Sequence, residues 1–174
     1  MTGVQTCALP ISLDAYFNPG AGADNPVYAL AIQGDDKIVV GGSFATFNGV
    51  VRPGVVRLNT NGSVDLSFNA GAGVDGVVYA IGLQSDGKIL IGGEFVSING
   101  TRRTNFARLN VNGSLDPNFN PGLSLDASVH AVIVQPDGTI VIGGSFTNVN
   151  GMQHRNLARL DATGQLDPAF LVGQ

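Results

Sequence analysis

Three arginines and three aspartates in this 174-residue chain are spaced for ion pairing: Arg57, Arg108 and Arg159 recur every 51 residues, and Asp65, Asp116 and Asp167 follow each by eight. An arginine flanked by apolar neighbours, as in Phe106-Ala107-Arg108-Leu109, needs a partner, because an unpaired buried charge costs about 3 to 5 kcal/mol. One structural ion pair per repeat is the reading of this set, and a ring of ligand-binding arginines is the alternative. Asp24, Asp75 and Asp126 recur in glycine-rich loops. Calcium takes about six to eight oxygen ligands, and no Asp-x-Asp-x-Asp cluster supplies them, so these carboxylates read as turn caps.

Other chemistries find less support. Gly41-Gly42, Gly92-Gly93 and Gly143-Gly144 are not followed by Gly-Lys-Ser/Thr or by a helix start, so they read as sites of close backbone packing or positive φ and not as phosphate loops. His130 stands where Tyr28 and Tyr79 stand in the other repeats and reads as a filled packing site; His154 lies in a variable segment and is expected to be exposed. Two histidines in unlike positions do not define a zinc site. There is no Gly-x-Ser-x-Gly elbow and no Ser/His/Asp set, and the only cysteine is Cys7. The expectation is a non-enzymatic chain with no cofactor and no metal.

The elements that hold these residues are β throughout. Val27 to Gln33, Val78 to Leu83 and Val129 to Val134 are apolar on both alternating faces, the pattern of a strand covered on both sides. Asp86-Gly87 and Asp137-Gly138 then turn the chain into a second apolar strand, as at Lys88 to Ile91; Asp35, Asp86 and Asp137 are turn residues. A third strand lies around Phe106 to Asn110, and Asn112-Gly113 leads into a short fourth segment, Leu115 to Phe119. Phe44, Phe95 and Phe146 recur on schedule and read as core. No window repeats apolar residues at helical spacing, and 25 glycines interrupt every candidate.

Phe17, Phe68, Phe119 and Phe170 keep the same 51-residue period, with no insertion between them. Four short strands per unit, stacked in series with both faces apolar, predict an all-β partial β-propeller: three four-stranded blades in an open arc, as units of about 13–68, 64–119 and 115–170. A β-sandwich would leave one face of most strands polar, and a β-helix uses shorter coils without hairpins.

The recurring phrase V-x-A-x-x-x-Q-x-D-G-K-I-x-x-G-G-x-F, followed by N-G-x-x-R and A-R-L-N-x-x-G-S-L-D-x-x-F, is carried in the middle unit by residues from Val78 to Phe119. It resembles the bacterial delta-60 repeat, a family of predicted β-propeller units, over nearly everything from Ser12 onward. The first unit departs at Gly34-Asp35-Asp36 and the third has Thr139 in place of the lysine. The resemblance implies a large secreted or surface-attached bacterial protein and no shared catalytic residues. A weaker similarity links the Gly-Gly after a strand to kelch propellers, whose tryptophans have no counterpart in this chain.

The first eleven residues, MTGVQTCALPI, do not fit the repeat, which resumes at Ser12-Leu13-Asp14. They look like a reading frame through a sequencing-library adapter, so 1–11 are expected to be non-native and 12–174 a fragment of a longer repeat array; a native cap is the alternative. Propellers close with about four to eight blades, so three units are expected to expose apolar faces and self-associate. With 13 acidic and 9 basic residues and no basic cluster beyond Arg102-Arg103, the chain carries no footprint for nucleic acid. No apolar run approaches the roughly 20 residues of a membrane-spanning helix.

Function is expected in the segment that varies after each Asn-Gly: Val50-Val51-Arg52-Pro53, Thr101-Arg102-Arg103-Thr104 and Met152-Gln153-His154-Arg155. Loops on a rigid scaffold commonly carry recognition. Arg52, Arg102, Arg103, His154 and Arg155 are the candidate binding-loop residues, for an extracellular glycan or protein. A passive spacer, or a propeller enzyme whose active site lies in other blades, are the competing readings.

Overall fold

The computed structural model describes residues 14–119 and 125–170, and the expectation for residues 1–11 falls outside them. The first unit is built from β1 (Val27–Ile32), β2 (Ile38–Gly42), β3 (Thr46–Phe47), β4 (Val50–Val51) and β5 (Val55–Leu58). The second uses β6 (Val74–Leu83), β7 (Ile89–Ile98), β8 (Thr101–Arg102) and β9 (Phe106–Leu109). The third repeats the first, with β10 (Val129–Val134), β11 (Ile140–Gly144), β12 (Asn148–Val149), β13 (Met152–Gln153) and β14 (Leu157–Leu160). Among the described residues there is no helix.

Each unit folds the same way. The inner strand pairs antiparallel with the second strand, and the second pairs with the strand that carries the arginine, giving the orders β1-β2-β5, β6-β7-β9 and β10-β11-β14. The turn between the first two strands is fixed by its aspartate: the Oδ1 atoms of Asp35, Asp86 and Asp137 accept from the backbone N–H of Lys37, Lys88 and Thr139. The fourth segment is shorter than the sequence pattern predicts. It contributes one isolated bridge per unit, Leu58 to Val64, Leu109 to Leu115 and Leu160 to Leu166, before the chain turns towards the next unit.

A small hairpin interrupts each unit between its second and third strands. In the first it is Phe47↔Val50 around Asn48-Gly49, and both turn residues have positive φ, 48° and 74°. That is the type I′ geometry matched to strand twist, which asparagine followed by glycine adopts at least cost. Asn99-Gly100 and Asn150-Gly151 repeat it.

The sheets stack face to face because successive residues of the middle strand point to different cores. Val39 and Val55 of the first unit join Val78, Ile89, Ile91 and Leu109 of the second in one buried cluster. Leu90 and Phe106, one residue out of phase, join Val129, Ile140, Ile142 and Leu160 of the third in another. Phe68 and Phe119 each close one of these seams. On the other face of the first unit, Val40, Val56 and Leu58 are covered by Phe44, Phe47 and Phe17. Phe44, Phe95 and Phe146 are all buried. The result is three consecutive blades of a β-propeller.

The inner strands of the first and third units depart from the expectation of two covered faces, and in β10 Ile133 is 61% exposed. In β1, Leu30 and Ile32 are 66% and 67% exposed, whereas the equivalent Ile81 and Leu83, and Val132 and Val134, are partly buried in the seams. The sequence pattern is identical in all three; the difference is that no preceding unit among the described residues lies against β1.

The Gly-Gly pair serves two approaches at once. A Cβ on Gly41 would lie 2.7 Å from Val78 Cγ1 of the second unit, and one on Gly92 would lie 2.6 Å from Val129 Cγ1 of the third. A Cβ on the second glycine, Gly42, Gly93 or Gly144, would run into the backbone carbonyl of Pro26, Val77 or Ser128, at or just before the inner strand of its own unit. The first glycine therefore admits the neighbouring blade, and the second admits the inner strand. Positive φ plays no part in either.

Candidate functional site

The Arg–Asp sets come together in all three units. Arg57 Nε donates to Asp65 Oδ2, Arg108 Nε to Asp116 Oδ2 and Arg159 Nε to Asp167 Oδ2, each at 2.9 Å. Lys37 and Lys88 approach the same Asp65 and Asp116 oxygens at 2.9 and 3.2 Å. Each guanidinium also lies over the phenylalanine that ends its unit, Arg57 over Phe68, Arg108 over Phe119 and Arg159 over Phe170, at 4.4 to 4.9 Å from the ring centroid.

A further contact crosses between blades. Arg57 Nη1 donates to the carbonyl of Val111 and Arg108 Nη1 to that of Ala162, both at 2.8 Å and both in the turn of the following unit. The same nitrogens donate to Gln33 and Gln84 Oε1. Burial pushes the Asp65 carboxyl up, but the hydrogen bonds from Ser67, Lys37 and Arg57 together outweigh it and hold the group well below the ordinary aspartate range. Asp116 behaves alike, with burial opposed by Asn118 N–H, Lys88 and Arg108; in Asp167 the Arg159 hydrogen bond is the leading cause of the lowering. Arg57 and Arg108 thus clamp one blade to the next, whereas the Asp167 contacts of Arg159 lie within its own unit.

The variable loop residues divide by position. Arg52, Arg103 and His154 are equivalents, 51 residues apart: Arg52 and Arg103 are half-buried, with Nη1 donating to the Val51 and Arg102 carbonyls, and Arg52 Nε, Arg103 Nε and His154 Nδ1 are buried with no hydrogen-bond partner. His154 is only 6% exposed, which corrects the expectation that it faces solvent. The type I′ hairpin folds this position back under the blade, where the His154 backbone N–H donates to the Thr147 carbonyl. Arg102 and Arg155 point outward and are exposed, and Arg102 lines an open groove of about 400 Å³ with Val96, Ser97, Gly100 and Thr104.

The recurrent aspartates before the inner strands act as caps. Asp24 Oδ1 accepts from the backbone N–H of Ala45 and Thr46, and Asp126 Oδ1 from those of Thr147 and Asn148. Both carboxyls are lowered, chiefly by Thr46 and Thr147 respectively. Asp75 lies inside β6, opposite Ser97, and not in a loop. Among the described residues no three of His, Cys, Asp and Glu converge to hold a metal ion, and no helix is long and apolar enough to cross a membrane.

One recurrent feature is not revealed by the spacing alone. The register of each inner strand slips by one residue, between Val27 and Ala29, Val78 and Ala80, and Val129 and Ala131. The bulged residues are Tyr28, Tyr79 and His130. A bulge re-aims its side chain, and here it sets three rings in a row across the blades, with centroids 5.4 Å apart from Tyr28 to Tyr79 and 5.1 Å from Tyr79 to His130. His130 is exposed, so it does not fill a packing site as its alignment with the tyrosines suggests. In the second and third units the residue after the Gly-Gly stands beside the row: Tyr79 Oη donates to Glu94 Oε2 at 3.5 Å, and His130 Nε2 lies 3.1 Å from Ser145 Oγ. The available sequence signal is the double glycine itself, which marks a strand whose partner must bulge.

A family model described as a domain of unknown function, DUF5122, beta-propeller, matches residues 33–68, 84–119 and 135–170, more than half of the chain. The chain belongs to this family. No curated protein matches it. Each matched segment runs from the glutamine at the turn, Gln33, Gln84 or Gln135, to the phenylalanine beneath the arginine, Phe68, Phe119 or Phe170. The DUF5122 pattern thus contains the whole Arg–Asp clamp. The inner strands, with the ring row, lie outside the matched segments.

Proposed function

We propose that this DUF5122 chain is a non-catalytic recognition module of a larger secreted or surface-attached bacterial protein, in which stacked blades present the inner-strand row and the short hairpins to an extracellular glycan or protein. The observation that carries this reading is the bulge. Each unit devotes a register slip and two glycines to setting its ring in the row, with Tyr28 and His130 exposed and Tyr79 half-buried between them, whereas the recurrent residues of the matched segments go to packing and clamping. Exposed rings with hydroxyl and imidazole hydrogen-bonding groups offer apolar faces and polar tips together, which suits the mixed surface of a sugar. Arg102 and Arg155 extend the same polar character onto the hairpins.

The localisation rests on the resemblance to delta-60 repeats. The test is a glycan array probed with the purified chain and with Y28A/Y79A. Binding that is lost in the variant, with an unchanged melting temperature, supports the module as a binder through the row. An array with no hits favours a spacer role, and hits unaffected by the variant move recognition to the hairpins.

A further inference from the structure

The seam between the second and third units holds a cleft of about 500 Å³ at the turn end of the inner strands, away from the ring row. That size falls within the roughly 300 to 1,000 Å³ of small-molecule sites. The second unit supplies one wall, from Leu83 to Asp86 together with Arg108, and the third supplies the other, with Val134, Gln135 and Ala162. Both walls are internal to the chain.

The seam between the first and second units is built from different residues at the same positions. The third-unit walls Val134 and Ala162 correspond there, 51 residues earlier, to Leu83 and Val111, both larger. Val111 Cγ2 lies 3.2 Å from where a Cβ on Gly87 would sit, whereas the nearest atom to the same point at Gly138 is Ala162 Cβ, at 3.6 Å. Ser85 stands where the first unit has Gly34, and so brings a hydroxyl to the second seam. The arginine differs as well. Arg57 Nη2 donates to Ser67 Oγ at 3.4 Å, but Asn118 replaces that serine in the second unit. Arg108, only 7% exposed, makes its bonds through Nε and Nη1, to Asp116, Gln84 and the Ala162 carbonyl. Among the described residues its Nη2 has no acceptor, and the side chain lines the cleft. A nearly buried charged donor left unmet is unfavourable, and a ligand that meets it removes that cost.

We propose that this cleft is a second binding site, separate from the ring row, and that it takes an uncharged sugar. The charges around it are already balanced: Arg108 and Lys88 face Asp116, and Lys88 Nζ also lies 3.6 Å from Asp86. An ion entering here gives up its hydration without gaining a free counter-charge, whereas a neutral polyol gives up far less. A sugar hydroxyl both donates and accepts. Arg108 Nη2 donates to one such hydroxyl, the Asp86 carboxylate accepts from another, and Ser85 Oγ and the Gln135 amide serve in either role. The C–H face of the ring rests on Leu83 and Val134, the apolar part of the lining.

The test is a titration of the isotope-labelled full chain with glucose, galactose, mannose and N-acetylglucosamine, followed by two-dimensional NMR, beside A162V and Y28A/Y79A. Ala162→Val installs the residue that the second unit already carries at Val111, so it narrows the cleft with a side chain the blade accommodates. The expected result is saturable shifts of the Gln84 and Gln135 side-chain amides with at least one of these sugars. The affinity should fall about tenfold or more in A162V, stay the same in Y28A/Y79A, and be lower for the uronate of the same sugar. No saturable shift with any of these sugars overturns the site. Equal affinity in a folded A162V places binding elsewhere and overturns it too, loss in Y28A/Y79A overturns its separation from the row, and tighter binding of the uronate overturns the uncharged ligand.

Discussion

Arg57 and Arg108 reach into the following blade, and Arg159, whose side chain is 33% exposed, takes both of its aspartate contacts within its own unit. That difference sets the cost of removing each. R108L leaves the buried Asp116 with only Lys88 and the Asn118 N–H and removes the bond to the Ala162 carbonyl, and should lower stability by about 1 to 3 kcal/mol, whereas R159L, at a half-open pair, should cost about 1 kcal/mol or less; chemical denaturation of the two variants measures the ordering, and equal losses would contradict it. The pairs also set a pH dependence. Folding lowers the carboxyls of Asp65, Asp116 and Asp167, so their contribution is complete above the unfolded aspartate value of about 3.9 and declines as pH falls towards the folded values. The melting temperature should hold from neutrality to about pH 5 and drop steadily below about pH 4; a flat profile through pH 3 would show that the pairs add nothing. At this scale the Arg–Asp partnership is legible in the eight-residue spacing, because a turn returns the chain beside the same strand. The burial of His154 is not legible, because polarity and variability describe a residue and the hairpin that folds it inward is set by the asparagine and glycine before it.

At the scale of the strand and its turns, the Gly-Gly pair decides how closely blades stack. Gly92→Ala places a Cβ against Val129 and should cost about 1 to 3 kcal/mol by overpacking. The same substitution in a V129A background should cost clearly less, since the clash is with that side chain; the coupling in the double-mutant cycle measures the contact, and strictly additive losses would mean that the blades do not meet there. The strand–turn–strand hairpins were readable from apolar runs broken by Asp-Gly. Two features were not. The β3–β4 hairpin and its equivalents have strands of only two residues, too short for any alternation to register. The bulge at Tyr28, Tyr79 and His130 leaves the composition of the strand unchanged and shows only when the opposite strand fixes the register.

Across the whole molecule, equal spacing becomes equal packing. The 51-residue period carries the number of units in this sequence, because one blade cannot bury its faces alone and each copy must meet the same demand from its neighbours. What the period could not convey is how an end unit differs from a middle one: β1 and β6 share one sequence pattern, yet Leu30 is exposed and Ile81 is packed. The fourth segment, reduced to a bridge at Leu115, likewise depends on where the linking chain must go to start the next blade. Each blade meets the next through the same contact, the inner-strand valine of one on the first glycine of the blade before it. Nuclear Overhauser spectroscopy detects that contact: the expected result is cross-peaks from the Gly41 Hα protons to the Val78 methyls and from the Gly92 Hα protons to the Val129 methyls, one period apart. A folded, dispersed spectrum in which either pair is silent would contradict it.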